Sequence, residues 1–327
     1  MIVHRIAATE AVSTPSMFAP VSTPAFAIRD LSFLVLAIVT FIFVVVAGVT
    51  VYAILRYRRR PGDDDRDPPQ VYGSTQIELA WTVVPFLIVI ILFLTTTRYI
   101  FAIERPAATR DTVEVTVVGN QWWWEIRYPQ LGIVTANELH VPVSDAARPT
   151  RTFITLESAD VIHSFWIPQL AGKTDVIPGK TNRTWVEPRT PGTYVGQCAE
   201  FCGVQHAWML LRVTVHPRDE FDRWVAAQRA AAADVPEARA GRDVFTSVAC
   251  ISCHTVRGTP GNGVFGPDLT HLMSRATIGA GVAPNTPENL RAWVNDPAAL
   301  KPGARMPAMK LSNDQLDQLL AFLVTLR

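Results

Sequence analysis

Two stretches of the chain carry no charged residue for long enough to cross a bilayer. The first, Leu31 to Leu55, runs 25 residues, and the second, Leu79 to Thr97, runs 19 residues between Glu78 and Arg98. A hydrocarbon core of ~30 Å needs about 20 helical residues. The first run is apolar on every face, as a membrane span is and an amphipathic surface helix is not. Two transmembrane helices are expected, at about 31–55 and 79–100. From Asp111 the period changes to two: Val113, Val115 and Val117 alternate with Thr112, Glu114 and Thr116, the mark of a half-buried strand. Similar runs follow at Arg151–Leu156, Thr181–Val186 and Leu211–Val215, separated by Pro-Gly turns at Pro178-Gly179 and Pro191-Gly192. Several short strands punctuated in this way predict an all-β sandwich or barrel over about 104–216.

Residues 217–239 are Ala-rich and charged and predict a short helix plus linker. Helical spacing then returns. Ala240 to about Val248 places Gly241 and Phe245 on one face. Ser312-Asn313-Asp314-Gln315 reads as a capping box, followed by Leu316, Leu319, Leu320, Leu323 and Leu326 at helical intervals. The chain therefore divides into an N-terminal segment (1–30), a helical hairpin (31–103), a β domain (104–216), a linker (217–239) and a helical domain (240–327).

Composition supports a membrane protein. Of 327 residues, 49% are hydrophobic and only 18% charged, against about 25% charged in ordinary soluble domains. A net charge of +1 excludes the strongly basic footprint of a nucleic-acid binder. Lys and Arg are distributed unevenly. Arg56, Arg58, Arg59, Arg60 and Arg66 sit between the two spans, while only Arg5 and Arg29 precede the first. That bias places the interhelical loop in the cytoplasm and both termini outside. Asp63 to Asp65 do not alter this, because the rule counts basic residues. Residues 1–28 have no continuous apolar stretch, so the first helix is expected to serve as the targeting signal, a processing site near Ala25 being the alternative.

The β domain concentrates its chemistry in two places. One is His163, in Val161-Ile162-His163-Ser164-Phe165-Trp166. The other is Cys198-Ala199-Glu200-Phe201-Cys202-Gly203-Val204-Gln205-His206-Ala207-Trp208-Met209. Two thiols, an imidazole and a thioether within twelve residues form a soft donor set suited to copper. A disulfide between Cys198 and Cys202 and a tetrahedral zinc site completed by His163 and His206 are the alternatives that ligand types alone leave open. In the helical domain, Cys250-Ile251-Ser252-Cys253-His254 is the C-x-x-C-H signature of covalent haem attachment. A redox dithiol or half a zinc site does not require the adjacent histidine. An electron carrier also needs a sixth iron ligand, for which methionine is common. Met306, on the Pro/Gly-rich loop beginning Lys301-Pro302-Gly303, is the first candidate, with Met309 next and Met273 expected in the core.

These motifs resemble those of a known family. The segment C-x-E-x-C-G-x-x-H-x-x-M with an upstream H-S-F is similar to subunit II of cytochrome c oxidase, in the haem–copper oxidase family, over about residues 30–216. The resemblance implies a cupredoxin-like sandwich holding a binuclear copper centre, CuA. Its ligands would be His163, Cys198, Cys202, His206, Met209 and the backbone carbonyl of Glu200. It further implies that the Glu200 carboxylate reaches a magnesium ion shared with subunit I. Asp160 would lie near CuA, although by itself it reads as a surface or turn carboxylate. Trp122, in Gly119-Asn120-Gln121-Trp122-Trp123-Trp124, would be the residue through which electrons enter. As strand residues, Trp122 and Trp124 are expected to point one way and Trp123 the other; the family more often has Tyr at the middle position. Glu78, before Trp81-Thr82-Val83-Val84-Pro85, would stand at the mouth of a proton pathway into subunit I; a first-turn helix acid is the plainer reading.

Residues 240–327 resemble a class I cytochrome c, an all-α domain. There Gly266-Pro267-Asp268-Leu269 matches a loop whose Pro267 carbonyl accepts the Nδ1 proton of the haem ligand His254. Cys250 and Cys253 would carry the haem thioethers and Met306 the distal position. Together the resemblances imply subunit II of a caa-type oxidase. Electrons would pass from an upstream cytochrome or a quinol–cytochrome c reductase to haem c, to CuA, and to haem a of subunit I, where oxygen is reduced with proton pumping. Subunit III and membrane lipid are the other expected partners; nucleic acid is not one. Related quinol oxidases lack the copper ligands, so a cytochrome donor is favoured. Nitrous oxide reductase also carries CuA, but its second, His-rich copper site has no counterpart among seven His. A rival is a free-standing, membrane-anchored haem/copper carrier with no catalytic partner. A metal-poor assembly protein with a zinc site and a disulfide is the other.

Overall fold

The computed structural model describes residues 14–62, 69–104, 106, 109 and 111–327. Arg5, Arg66 and Asp63 to Asp65, used above for orientation, lie outside them. The chain forms two units, 26–107 and the remainder.

The first unit holds most of helix α1 (Thr23–Tyr57) and all of α2 (Thr75–Glu104), each long and apolar enough to cross a membrane. At 1.5 Å per residue both exceed the ~30 Å hydrocarbon thickness. α1 starts eight residues before the charge-free run, because Pro24 suits a first turn and Arg29 and Asp30 pair beside each other. Pro85 sits inside α2.

The second unit contains a β-sandwich and a helical domain. The strands are β1 (Asp111–Asn120), β2 (Trp123–Tyr128), β3 (Ile133–Ala136), β4 (Glu138–Pro142), β5 (Thr150–Ser158), β6 (His163–Trp166), β7 (Thr174–Val176), β8 (Asn182–Val186), β9 (Gly192–Cys198) and β10 (Leu210–His216). They form two five-stranded sheets, ordered β3-β2-β1-β5-β8 and β4-β10-β9-β6-β7. β1 runs parallel to β5, with Val115 opposite Ile154, and antiparallel to β2. Alternate residues of β1 and β5 meet Phe165, Leu211, Val213 and Val215 of the other sheet in one apolar core, joined by Trp124, Ile126 and Tyr128. Residues 14–22 lie along this sandwich: Val21 packs on the core and Ser22 bridges to Pro188.

Helix α3 (Arg218–Arg229) follows β10 and buries Phe221 and Gln228. Trp224 stacks on His140 at 4.4 Å between ring centroids. The helical domain comprises α4 (Arg239–Ser247), α5 (Cys250–Cys253), a two-residue ladder of β11 (Thr277–Ile278) with β12 (Ala283–Pro284), α6 (Pro287–Asn295), α7 (Pro297–Leu300) and α8 (Asn313–Leu323). The expected capping box is present: Ser312 Oγ accepts from Gln315 N, and the Gln315 side chain accepts from Ser312 N. α4 crosses α8, with the Phe245 and Phe322 rings 5.7 Å apart. Val256, Leu272, Leu290, Val294, Leu316 and Leu319 complete this second core, and Met273 packs against it.

Candidate copper and haem sites

The loop from the end of β9 to the start of β10 folds back so that its donors converge beneath β6. Cys198 ends β9, His163 opens β6, and the two strands pair through Phe165 and Cys198. The cysteine sulfurs stand 3.7 Å apart, and both thiols are free; a disulfide requires about 2.05 Å. Each sulfur has its own imidazole: His163 Nδ1 lies 3.9 Å from Cys198 Sγ, and His206 Nδ1 lies 3.9 Å from Cys202 Sγ. The remaining donors are split the same way. The Glu200 carbonyl is 3.2 Å from Cys198 Sγ, and Met209 Sδ is 4.0 Å from Cys202 Sγ. His163, Cys198, Cys202 and Met209 are all buried. Six donors, the two sulfurs and the four groups around them, exceed the four of a closed tetrahedral zinc site and fit a pair of soft ions bridged by thiolates.

A shell of hydrogen bonds sets these donor side chains. Asp160 Oδ1 lies 2.8 Å from His163 Nε2, and its Oδ2 accepts from Gln121 N at 2.7 Å. Gln121 Nε2 and Trp122 Nε1 both donate to the Cys202 carbonyl, at 2.7 and 3.0 Å. Gly119 leaves room for the His163 ring, since a Cβ there would stand 2.8 Å from its Cδ2. Trp124 supports the same ring edge-on, at 5.9 Å between centroids.

The second site is built on α5. Cys250 and Cys253 are free thiols one helical turn apart, and His254 caps the helix. His254 Nδ1 lies 2.8 Å from the Pro267 carbonyl. Gly266 faces the ring so closely that a Cβ would lie 2.5 Å from its Cε1. The engaged Nδ1 leaves Nε2 as the nitrogen available to iron.

Three family descriptions match the chain: the transmembrane domain of cytochrome c oxidase subunit II over residues 12–98, its periplasmic domain over 137–215, and cytochrome c over 238–327. Cytochrome c oxidase subunit 2 of Alkalihalophilus pseudofirmus is 38% identical over 304 residues, covering 91% of this chain and 85% of that protein.

The chain belongs to the cytochrome c oxidase subunit II family.

The subunit of the same name from Bacillus sp. strain PS3 is 35% identical over 291 residues, 83% of this chain and 80% of that one. The crystal structure of the periplasmic domain of subunit II of cytochrome oxidase from Bradyrhizobium japonicum is 29% identical and covers 38% of this chain and 97% of its own, with a TM-score of 0.35. Membership makes this a two-pass membrane subunit of a haem–copper oxidase, with a CuA-type copper centre in the cupredoxin-like domain, a haem c in the C-terminal domain, and subunit I as partner.

Electrostatics suit both sites. The Cys202 thiol beside it, with His163 and backbone donors, holds the Cys198 thiol well below its ordinary value, while Cys198 and burial push Cys202 up. Such a pair readily gives up a first proton to solvent as a soft cation takes the thiolate. Burial lowers His254, outweighing the Pro267 bond, and so favours the neutral imidazole that iron requires.

The structure places the expected residues unevenly. Trp122 is not in a strand. It lies in the β1–β2 turn, with a cis peptide bond to Gln121, so strand alternation does not apply to it. It reaches the Cys202 carbonyl through its indole instead. Asp160 is more than a surface carboxylate, being hydrogen-bonded to His163. The Glu200 carboxylate points away and meets Lys173 at 3.3 Å. Glu78 is in the first turn of α2, where its helix bonds run from Glu78 N to Ser74 O and from Thr82 Oγ1 to Glu78 O. Met306 and Met309 lie on the irregular loop between α7 and α8, half-buried. Sequence reasoning missed Gly119, Gln121, Gln205 and Lys301. Only Gly119 carried a local signal, as a glycine ending a β-branched strand run.

Proposed function

We propose that this subunit accepts electrons at a haem c held by residues 240–327 and delivers them through a binuclear CuA held by residues 104–216. The observation that carries this is the paired donor set: two sulfurs 3.7 Å apart, each with its own imidazole and one weak outer donor. When bound, the haem and the copper pair would supply one-electron redox chemistry, the oxygen reduction with proton pumping belonging to subunit I with its haem a.

The chain's own residues prepare that transfer. Cys198 and Cys202 would bridge the two coppers as thiolates, His163 and His206 would bind one each, and Met209 and the Glu200 carbonyl would act as weak outer ligands. Asp160 would hold the His163 ring by its Nε2–H and thereby raise its basicity. Cys250 and Cys253 would carry the haem thioethers, His254 the proximal position and Met306 the distal one. Pro267 would fix the His254 tautomer. Trp122 would admit electrons, because its Nε1–H already touches the Cys202 carbonyl. The Glu200 carboxylate, half-exposed beside Lys173, would exchange that lysine for a magnesium ion at the interface with subunit I. Glu78 would receive protons at the cytoplasmic end of α2.

Orientation follows from the Arg-rich loop between the helices. The N-terminal segment hydrogen-bonds to the sandwich, with Glu187 N donating to Ser22 Oγ, which supports both ends of the hairpin emerging on the outer face. The boundaries 1–30, 31–103, 104–216, 217–239 and 240–327 serve as the working domain map. Subunit III, lipid and an upstream cytochrome or quinol–cytochrome c reductase complete the proposed partners.

The test is electron paramagnetic resonance of the oxidised full-length chain loaded with copper and haem. A hyperfine pattern from two equivalent coppers beside low-spin haem is expected, and Cys202→Ser should abolish the copper pattern alone. A single isolated copper, or zinc with no paramagnetic signal, would overturn the assignment.

A further inference from the structure

The helical domain does not hang from its linker. It makes buried polar contacts with the sandwich at three places. At the edge strand β4, the Glu138 carboxylate is 3% exposed and accepts three hydrogen bonds, all 2.9 Å, from Ala276 N, Thr277 N and Thr277 Oγ1. At the start of β10, Leu210 N donates to Ala280 O at 3.2 Å, and Gly281 approaches so closely that a Cβ would lie 2.9 Å from Leu210 Cβ. At the copper loop, Lys301 is 3% exposed and its ammonium donates to the carbonyls of Trp122, at 2.9 Å, and Gly279, at 3.0 Å. Gln205 Nε2 donates to Pro302 O at 2.7 Å, and the Arg305 guanidinium lies 5.4 Å from the centre of the Trp122 ring.

Glu138 and Lys301 are both charged, both buried and both hydrogen-bonded to groups of the opposite domain. A buried charge is tolerated only while its partners are in place. Each therefore favours one arrangement of the two domains over any loose association. Burial also depresses the Lys301 ammonium, to about 8, which fits a group withdrawn from water. Lys301 begins the loop that carries Met306, so holding it against the Trp122 carbonyl fixes that loop beside the residues that flank Cys202.

We propose that Glu138 and Lys301 are positioning residues that pin the C-terminal domain to the copper domain, making electron transfer between them a step within one docked body rather than a tethered encounter. The electron-transfer part rests on the function proposed above; the pinning itself does not.

The experiment uses the full-length chain in its oxidase complex. Amide hydrogen exchange at Leu210 reports opening of the domain contact at a point neither variant touches. Glu138→Gln and Lys301→Met should each speed that exchange by about tenfold or more, the consequence of stranding a buried partner. Thr277→Val, a milder change, should act in the same direction. The copper and haem spectra and midpoint potentials should stay as in the wild type while the rate of haem-to-copper transfer falls. In the wild type that rate should be insensitive to salt, because buried contacts are weakly screened. Unchanged exchange at Leu210 in both charge variants would overturn the proposal, as would a wild-type rate that falls steeply with ionic strength. Failure of the functional reading looks different: the copper-pair signal would be missing while the exchange results stood.

Discussion

Gly241 stands so close to the Gln318 carbonyl that a β-carbon on it would lie 1.9 Å from the oxygen. This is where α4 crosses α8, and the neighbour is backbone, not a side chain that can swing aside. The contact brings Phe245 onto Phe322 and seals the core above the haem-binding helix. Gly241→Ala is expected to cost at least about 1–3 kcal/mol, the usual penalty for overpacking a tight core. Urea denaturation followed by haem absorbance would show a lower midpoint and poorer haem incorporation; a wild-type midpoint would contradict the crossing.

Gly266 plays the corresponding part beside His254. A methyl there would press on the imidazole and displace it from the Pro267 carbonyl. Losing that bond makes the imidazole a weaker donor to iron, which favours the ferrous state. Gly266→Ala should raise the haem midpoint potential by about 40 mV, the one-electron equivalent of ~1 kcal/mol. Redox titration at the haem band checks it, and a lower potential would argue against His254 as the proximal ligand.

Asp160 holds His163 from the side opposite the cysteines. Asp160→Asn keeps the size but removes the charge that stabilises the ring proton. Copper affinity should drop by about 10–100-fold, as is typical for the outer partner of a ligating histidine. Competition with a chelator of known affinity measures this. Equal affinity in both proteins would leave Asp160 the role of accepting from Gln121 N and Val161 N.

His140 makes the sandwich sensitive to acid. Burial, then the neighbouring His216 and Arg275, lowers its pKa from 6.5 to about 3. The unfolded chain takes up the proton as pH falls below 6.5, and the folded chain resists until about 3. The stability contributed is therefore fully present above pH 6.5 and is lost progressively down to about 3, with a ceiling of about 5 kcal/mol. Denaturant midpoints followed by tryptophan fluorescence at pH 7, 5.5 and 4 should fall more steeply in the wild type than in His140→Phe. Parallel slopes would assign the acid sensitivity to carboxylates instead.

Local pattern disclosed what local physics decides. Uninterrupted apolar runs revealed α1 and α2, and alternation revealed β1, β5, β8 and β10. It missed β4, because all five of its residues are buried, including Glu138 and His140. Polar residues in a covered strand erase the period-two signal. The short strands β3, β6 and β7 carry too few residues to show any period. The candidate copper and haem motifs stood out because Cys198 to Met209 and Cys250 to His254 are each contiguous, whereas His163 and Met306 come from afar. Lys301 and Glu138 were not, since their partners lie on the other domain: Glu138 meets residues 138 and 139 positions away. No periodicity encodes such a meeting.

Ser22 and Glu187 are bonded across 165 positions of chain. The stretch that completes this flank of the sandwich is thus made before either membrane helix, and its partner long after both. During synthesis Ser22 must wait until the hairpin has been inserted and returned the chain to its own side. Closure of the sandwich then becomes a check on insertion: a chain in which only one of the two helices crossed the bilayer would hold Ser22 and Glu187 on opposite faces and could not make the bond.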